Sequence, residues 1–176
     1  MISESCSFET ERLLVKEWHG LSADEWISQD LADVVHAMLT PAVTRSLPEP
    51  WQGEYTLERA RRWVTERDEE GTTLLVIERV SKRPAGLVIL FEIEQEEDVG
   101  PEVRLGYLLA ESTWGRGLAT ELIQGLVEWC KGAGVGSLVG GVTRENLPSK
   151  RVLEKNGFVC APESTSAPEQ LFELRL

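Results

Sequence analysis

Two glycines in a short turn constrain this chain more than any other feature. The segment Trp114–Thr120 follows an apolar, strand-like run, Val103–Ala110, and precedes an amphipathic helical pattern. Such a turn leaves backbone N–H groups unpaired at a helix start, where the helix dipole is positive. Gly115 and Gly117 permit positive φ and let a ligand touch the backbone, while Arg116 can add a charged contact. The turn predicts a phosphate site, with an ordinary strand-to-helix connection as the alternative.

Two common phosphate loops do not match this turn. A Walker loop needs four residues between its first glycine and a Gly-Lys-Ser/Thr ending, and the dinucleotide fingerprint needs a third glycine. Neither pattern is present in the sequence. The glycine pair therefore needs support from a second motif.

A second motif runs from Asn146 to Phe158, with the sequence Asn-Leu-Pro-Ser-Lys-Arg-Val-Leu-Glu-Lys-Asn-Gly-Phe. Asn146 can cap a short helix, and Asn156-Gly157 can end it. Together with Gly106-Tyr107, the glycine turn and the opening Thr10–Val15, this motif resembles the GNAT acetyltransferases. It is most similar to their ribosomal-protein-alanine acetyltransferase branch (RimJ/RimL-like), over residues Phe8 to Phe158.

The resemblance implies an α+β fold with a single domain, the acyl-CoA acyltransferase fold. In that fold a mixed central sheet with splayed parallel strands is flanked by helices. We expect the domain to span residues 8–176 and residues 1–7 to be flexible. Periodicity and β-propensity predict the same order of elements, antiparallel early and crossing over late. The predicted strands are Arg12–Glu17, Thr72–Glu78, Gly86–Ile93, Val103–Leu109, Ser137–Thr143 and Leu171–Leu176, and the predicted helices are Leu31–Leu39, Thr56–Arg67, Leu118–Lys131 and Asn146–Lys155.

The resemblance also implies acetyl-CoA as the acetyl donor, with its pantetheine arm between the two splayed strands. By position, the backbone of Tyr107, Leu108 and Leu109 would meet pantetheine, while their side chains belong to the core. The pyrophosphate would be surrounded by Gly115, Arg116, Gly117, Leu118, Ala119 and Thr120. Asn146 would either cap its helix or contact the cofactor arm.

Acetyl transfer to an amine needs a base for the ammonium and an acid for the departing thiolate. The carboxylates that could face the cleft are Glu102 and Glu92. In the resembled branch an acidic residue often stands where this chain has Arg104, and Glu102 shares that strand face. Glu102 therefore either replaces the missing carboxylate or pairs with Arg104.

The acid is a separate question. Many GNAT members use a tyrosine in the late helix, where this chain has Leu153. The resembled branch offers a serine instead, and Ser149 fits it, as a proton relay or a hydrogen-bond donor to the sulfur. The alternative for Ser149 is a local hydrogen bond at the helix start.

Composition limits the partners. The chain has 176 residues and a net charge of -12, which disfavours nucleic acid and favours a cationic acceptor. No apolar stretch reaches the roughly 18 residues needed to cross a bilayer, so we expect no membrane association and a cytoplasmic location. His19 and His36 are isolated, so no metal site is predicted.

The acceptor is expected to be a primary amine: a protein N-terminal α-amine, or a small amine. The alternative function is a non-catalytic acyl-CoA-binding sensor or interaction domain, because the usual tyrosine is absent and Arg104 occupies a carboxylate position. Trp51 and Tyr55, in a proline-containing loop, either line the acceptor pocket or hold that loop to the core. The sequence leaves the oligomeric state open between monomer and homodimer.

Overall fold

The structure is a computed structural model that describes residues 3–27, 30–95 and 99–176. In these ranges eight strands form one sheet: β1 Ser7–Glu9, β2 Leu13–Glu17, β3 Thr72–Glu78, β4 Pro84–Ile93, β5 Glu102–Leu109, β6 Ser137–Thr143, β7 Val159–Cys160 and β8 Glu169–Arg175. The α-helices described are α1 Leu31–Met38, α2 Pro41–Thr44, α3 Leu57–Glu70, α4 Leu118–Ala133 and α5 Leu147–Lys155.

The sheet is mixed, as predicted. Its strand order is β1-β2-β3-β4-β5-β6-β8-β7. β5 and β6 pair in parallel, while the other neighbouring strands pair antiparallel. Parallel neighbours need a crossover connection, and α4 supplies it between β5 and β6. The predicted α+β class with a late crossover is confirmed.

Two apolar cores lie on opposite faces of the sheet. On one face, Leu118, Leu122 and Leu126 of α4 pack with Leu153 of α5 against the strands. On the other, α1 and α3 cover β3 and β4, with Trp63 among the buried side chains. We call these the α4/α5 face and the α1/α3 face. Alternating strand residues contribute to opposite faces, which is why strands with both faces covered read as continuous apolar runs.

Several boundaries differ from the sequence expectation. A short edge strand, β1, precedes the predicted first strand. The proline-containing segment 40–53 contains α2 and a 3-10 turn at Glu49–Trp51. Within the N-terminal segment expected to be flexible, Ser3 and Cys6 are buried instead, and Met1 and Ile2 lie outside the described residues. No helix in the described ranges is long and apolar enough to span a membrane.

Candidate active site

A gap opens where β5 and β6 stop pairing. The two strands pair from Glu102 with Ser137 as far as Leu105 with Gly140. Beyond that point β5 continues against β4 to Leu109, while β6 continues against β8 to Thr143. The second halves of both strands therefore leave backbone groups facing each other without a partner strand, as the resemblance implied.

Backbone direction alternates along β5 and decides which residues face the gap. The N–H of Ala110 donates to the carbonyl of Ala85 at 2.9 Å, so the backbone polar groups of Ala110 point toward β4. By alternation those of Leu108 also point toward β4, whereas the N–H and C=O groups of Tyr107 and Leu109 point toward the gap. Of the three backbone positions expected to meet pantetheine, Tyr107 and Leu109 thus face the opening and Leu108 does not.

The helix α4 begins beside this gap with a run of unpaired amides. Trp114 N–H bonds to Glu111, and Glu121 N–H bonds to the carbonyl of Gly117. Between them, no N–H of residues 115–120 has an acceptor among the described residues, and no side chain caps the helix. Six consecutive donors therefore remain available where the helix dipole is positive, which suits an anion.

Both glycines of the turn hold a left-handed backbone. Gly115 has φ of 71° and Gly117 has φ of 76°. A Cβ at Gly115 would have no atom within 4 Å, so space does not require glycine there. The positive φ does, because other L-residues adopt it only with strain.

The side chain of Arg116 points away from this amide run. Its Nη1 bonds Glu78 Oε1 at 2.6 Å. Arg12, which was not singled out in the sequence, donates from Nη1 to the Arg116 carbonyl at 2.8 Å and from Nε to Glu121 Oε2 at 2.6 Å. The turn is thus held in place by ion pairs, and the groups that it leaves available to an anion are main-chain N–H groups.

Glu121, in the first turn of α4, anchors the turn to the first strands. Its Oε1 accepts from Thr10 Oγ1 at 2.6 Å and from the Arg12 N–H at 2.8 Å. Burial alone would raise the pKa of Glu121, but the hydrogen bonds from Thr10 and Arg12 outweigh it and lower that pKa. The Thr10-Glu11-Arg12 segment therefore positions the start of α4.

Trp114 connects the turn to the end of β5. Its Nε1 donates to the Leu109 carbonyl at 2.9 Å, and the residue is 46% exposed. The Leu109 carbonyl, which faces the gap, therefore already accepts one hydrogen bond from within the protein.

Ser149 and Tyr107 meet at the gap on the α4/α5 face. Their hydroxyl oxygens are 2.7 Å apart. Burial raises the pKa of Tyr107, although the hydrogen bond with Ser149 works in the opposite direction. The phenol therefore stays protonated near neutral pH and can supply a proton. No local pattern indicates a role for the Tyr107 side chain, because Tyr107 and Ser149 are 42 positions apart in the chain.

Asn146 and Leu153 hold α5 in position. The Oδ1 of Asn146 accepts from the Ser149 N–H at 3.3 Å, so Asn146 caps the helix. Leu153, at the position of the family tyrosine, is 1% exposed and packs against Gly140. This side chain belongs to the core.

The two carboxylates considered as bases lie away from Ser149. Glu102 Oε1 pairs with Arg104 Nε at 3.0 Å. Tyr107 lies five positions after Glu102 on the same strand, about 16 Å away, and the two side chains point to opposite faces. Glu92 lies opposite Val103 and accepts from Ser3 at 3.1 Å and 3.2 Å. The structure thus brings neither carboxylate to the gap, and the Glu92 carboxylate is hydrogen-bonded to Ser3 of the N-terminal segment.

A different carboxylate does lie at the gap. Glu169 begins β8 opposite Thr143, and its side chain extends across Gly141, the first β6 residue beyond the paired region. A Cβ at Gly141 would lie 3.0 Å from Glu169 Cδ, so glycine leaves the room that this side chain uses. Glu169 is on the face opposite α4 and α5. The sequence offered no signal for it, because its pairing with Thr143 is long-range.

Comparisons with known proteins agree with this geometry. The chain matches the family model "Acetyltransferase (GNAT) domain" over residues 23–159. No curated protein sequence matches it. A GNAT-family acetyltransferase from Bacillus anthracis is similar in structure, with 18% identity and a TM-score of 0.73 over 97% of this chain and 98% of that chain.

Two further solved structures are similar. One is RimL, a ribosomal L7/L12 alpha-N-protein acetyltransferase in complex with coenzyme A, at 15% identity and a TM-score of 0.71, covering 95% of this chain and 96% of that chain. The other is an acetyltransferase from Salmonella typhimurium that modifies the N-terminal serine of L7/L12, at 17% identity and a TM-score of 0.69 over the same shares. Because the family model covers most of the sequence, the chain belongs to the GNAT acetyltransferase family and is an acetyltransferase.

Proposed function

We propose that this protein transfers the acetyl group of acetyl-CoA to the N-terminal α-amine of a protein. The observation that carries the proposal is the run of six unpaired amides, residues 115–120, beside the gap between β5 and β6. These amides suit a diphosphate, and the gap-facing backbone of Tyr107 and Leu109 suits the pantetheine arm. Acetyl-CoA supplies an activated acetyl thioester.

The residues on the two faces of the gap divide the proton transfers. Glu169, on the open face, is placed to take a proton from the acceptor ammonium, directly or through water. Ser149, bonded to Tyr107 on the α4/α5 face, donates a proton to the departing sulfur. As the C–N bond forms and the C–S bond breaks, the acceptor nitrogen loses two protons, one before the attack and one after it. The sulfur gains one proton, and the other is released to solvent. This arrangement makes Glu169, in place of Glu102, the proposed base, and leaves Glu102 as the ion-pair partner of Arg104.

The open face favours a peptide acceptor over a small amine. Beside the gap, Arg104, Gly106, Gly141 and Leu171 are exposed on the face that carries Glu169. An extended chain can lie across such an uncovered sheet face, whereas a small amine needs an enclosed site. The net charge of -12 favours a cationic N-terminus. RimL and the Salmonella typhimurium acetyltransferase both modify the N-terminus of a ribosomal protein, which supports the same acceptor class here.

The test is acetyl transfer measured by release of free CoA thiol. The acceptors are peptides with a free N-terminus, the same peptides with a blocked N-terminus and an internal lysine, and a small polyamine. We expect turnover with the free N-terminus only, and mass spectrometry should place the acetyl group on the α-amine. Turnover with the polyamine but not with the peptides would show that the acceptor is a small amine and not a protein N-terminus. Tight acetyl-CoA binding without thiol release across a wide acceptor panel would favour a sensor, and absence of CoA binding would end the proposal.

The base is tested by Glu169→Gln, which should lower turnover about a hundredfold while acetyl-CoA affinity stays the same. The matched control is Glu173→Gln, on the same strand and face, where Glu173 pairs with Arg175. Glu102→Gln separates the two candidate bases. A loss of turnover in Glu102→Gln, together with full turnover in Glu169→Gln, would identify Glu102 as the general base.

A further inference from the structure

A cleft of about 430 Å³ lies on α3 and the segment before it. Its walls include Trp51, Tyr55, Trp63 and Arg67. None of these residues belongs to the gap described above. Two features of the cleft, a buried cation and aromatic walls, point to a ligand.

The cation is Arg67, whose side chain is 2% exposed. Its Nη2 pairs with Glu70 Oε2 at 2.8 Å. Its Nε and Nη1 have no acceptor in the described part of the chain, and neither does Nε1 of the adjacent Trp63. Buried donors without acceptors are unfavourable, most of all on a charged group. Three N–H-bearing atoms of one cleft thus lack an acceptor that a ligand can supply.

Aromatic rings fix this guanidinium but cannot satisfy its N–H groups. Its central carbon lies 4.3 Å from the ring centre of Trp51 and 5.2 Å from that of Trp63. Cation–π contacts of this kind use the faces of the rings. The guanidinium is therefore held in one orientation, with two of its nitrogens still able to donate to an anionic oxygen.

The charge of the cleft selects the type of anion. Its lining contains three arginines, Arg59, Arg62 and Arg67, and two glutamates, Glu66 and Glu70, which leaves one net positive charge. A monoanion matches that charge, whereas a phosphate dianion would exceed it within a chain of net charge -12. A carboxylate oxygen can also accept a charge-assisted hydrogen bond from Nε or Nη1 of Arg67.

The rest of the lining suits a hydrocarbon body. Arg59 stacks over Tyr55 at 4.0 Å and donates to the carbonyls of Glu54, Pro50 and Gln52. The Tyr55 hydroxyl donates to the Trp51 carbonyl at 3.0 Å, so the two aromatic residues of the lining are already linked before any ligand enters.

We propose that this cleft binds an organic monocarboxylate, with the carboxylate on Arg67 and the hydrocarbon body against Trp51 and Tyr55. The site goes beyond the proposed acetyl transfer and does not depend on it, since binding is measured without turnover.

The test compares two isosteric ligands, phenylacetate and phenylacetamide, with inorganic phosphate as a third arm. Calorimetry and tryptophan fluorescence measure their affinity for the wild-type protein. We expect phenylacetate to bind at least tenfold more tightly than phenylacetamide and more tightly than phosphate. Equal affinity for the acid and the amide would overturn the proposal, and tighter binding of phosphate would overturn the assignment to a carboxylate.

Variants locate the binding. Arg67→Met, which keeps an unbranched apolar stem but removes the guanidinium, should weaken phenylacetate binding at least tenfold. Arg61→Gln makes the same charge change on the same helix at an exposed residue outside the cleft and should leave affinity unchanged. Unchanged binding in Arg67→Met would place the ligand elsewhere. If Arg67→Met does not fold, the comparison of acid and amide decides, together with a twofold to threefold loss in Arg62→Gln at the cleft rim.

Discussion

The two helices that border the gap begin in opposite ways. At the start of α5, Asn146 caps the helix, Pro148 has no N–H, and each remaining amide from Asn146 to Lys150 has an acceptor. At the start of α4, six consecutive amides have none among the described residues. The other α-helices described, α1, α2 and α3, begin with the side-chain caps Asp30, Thr40 and Thr56.

This difference suggests a division of roles. A helix without a cap is less stable by about 1 kcal/mol. The start of α4 is instead stabilised by Arg12, which pairs with Glu121 and donates to the Arg116 carbonyl. An open helix start that is held rigidly can bind an anion, whereas the capped start of α5 fixes the hydroxyl of Ser149 beside Tyr107. We therefore expect changes at α4 to alter CoA affinity and changes at α5 to alter turnover.

The largest expected effect is at the pair of hydroxyls formed by Ser149 of α5 and Tyr107 of β5. Ser149→Ala combined with Tyr107→Phe should lower kcat about a hundredfold, because the departing sulfur loses its proton donor. CoA affinity, measured by calorimetry, should change less than twofold. Each single variant should show most of the loss, since the two hydroxyls act as one unit. A full kcat in the double variant would remove both residues from the mechanism.

An intermediate effect is expected at the anchor of α4. Glu121→Gln should lower the free energy of unfolding by about 2 kcal/mol at pH 7, because charged hydrogen bonds with Thr10 and Arg12 are lost. The folded pKa of Glu121 is lowered below its ordinary value of 4.5. Its ionised form is therefore stabilising above the unfolded pKa, and the contribution disappears as the pH falls through the folded pKa.

Urea denaturation across pH 3 to 7 checks this anchor. The stability difference between the wild-type protein and Glu121→Gln should be constant near neutral pH and should shrink in acid. A difference that stayed the same throughout that pH range would show that the ionised carboxylate is not the cause. Glu128→Gln, an exposed residue of the same helix, serves as the control.

The smallest expected effect is at the turn itself. Gly117→Ala forces a residue with a Cβ into φ of 76° and should weaken CoA binding about tenfold. Gly132→Ala is the matched control, because Gly132 lies inside α4 and its Cβ would meet no atom within 4 Å. That control should stabilise the protein by about 0.5–1 kcal/mol and leave CoA affinity unchanged. Equal CoA affinity in both variants would show that the turn conformation does not matter for binding.

The element pattern could be read directly from the sequence. The pattern predicts Ser137–Thr143 with the bounds that the structure gives, and it identifies Asn146 as a helix cap. These features depend on residues close in the chain, through periodicity, capping and glycine conformation. The short strands β1 and β7 were missed because three or two residues carry too little pattern.

The sequence by itself determined the fold class, the family and the open helix start at Gly115–Thr120, because each depends on local residue order. Only the tertiary structure decided which side chains lie at the gap. Ser149 contacts Tyr107 on one face, and the Glu169 side chain lies over Gly141 on the other. Glu102 forms an ion pair with Arg104 away from the gap. The tertiary structure also turned Arg116 toward Glu78 and left Arg67 buried without acceptors for two of its nitrogens. Each of these depends on strand register or helix packing between distant segments, which local patterns do not encode.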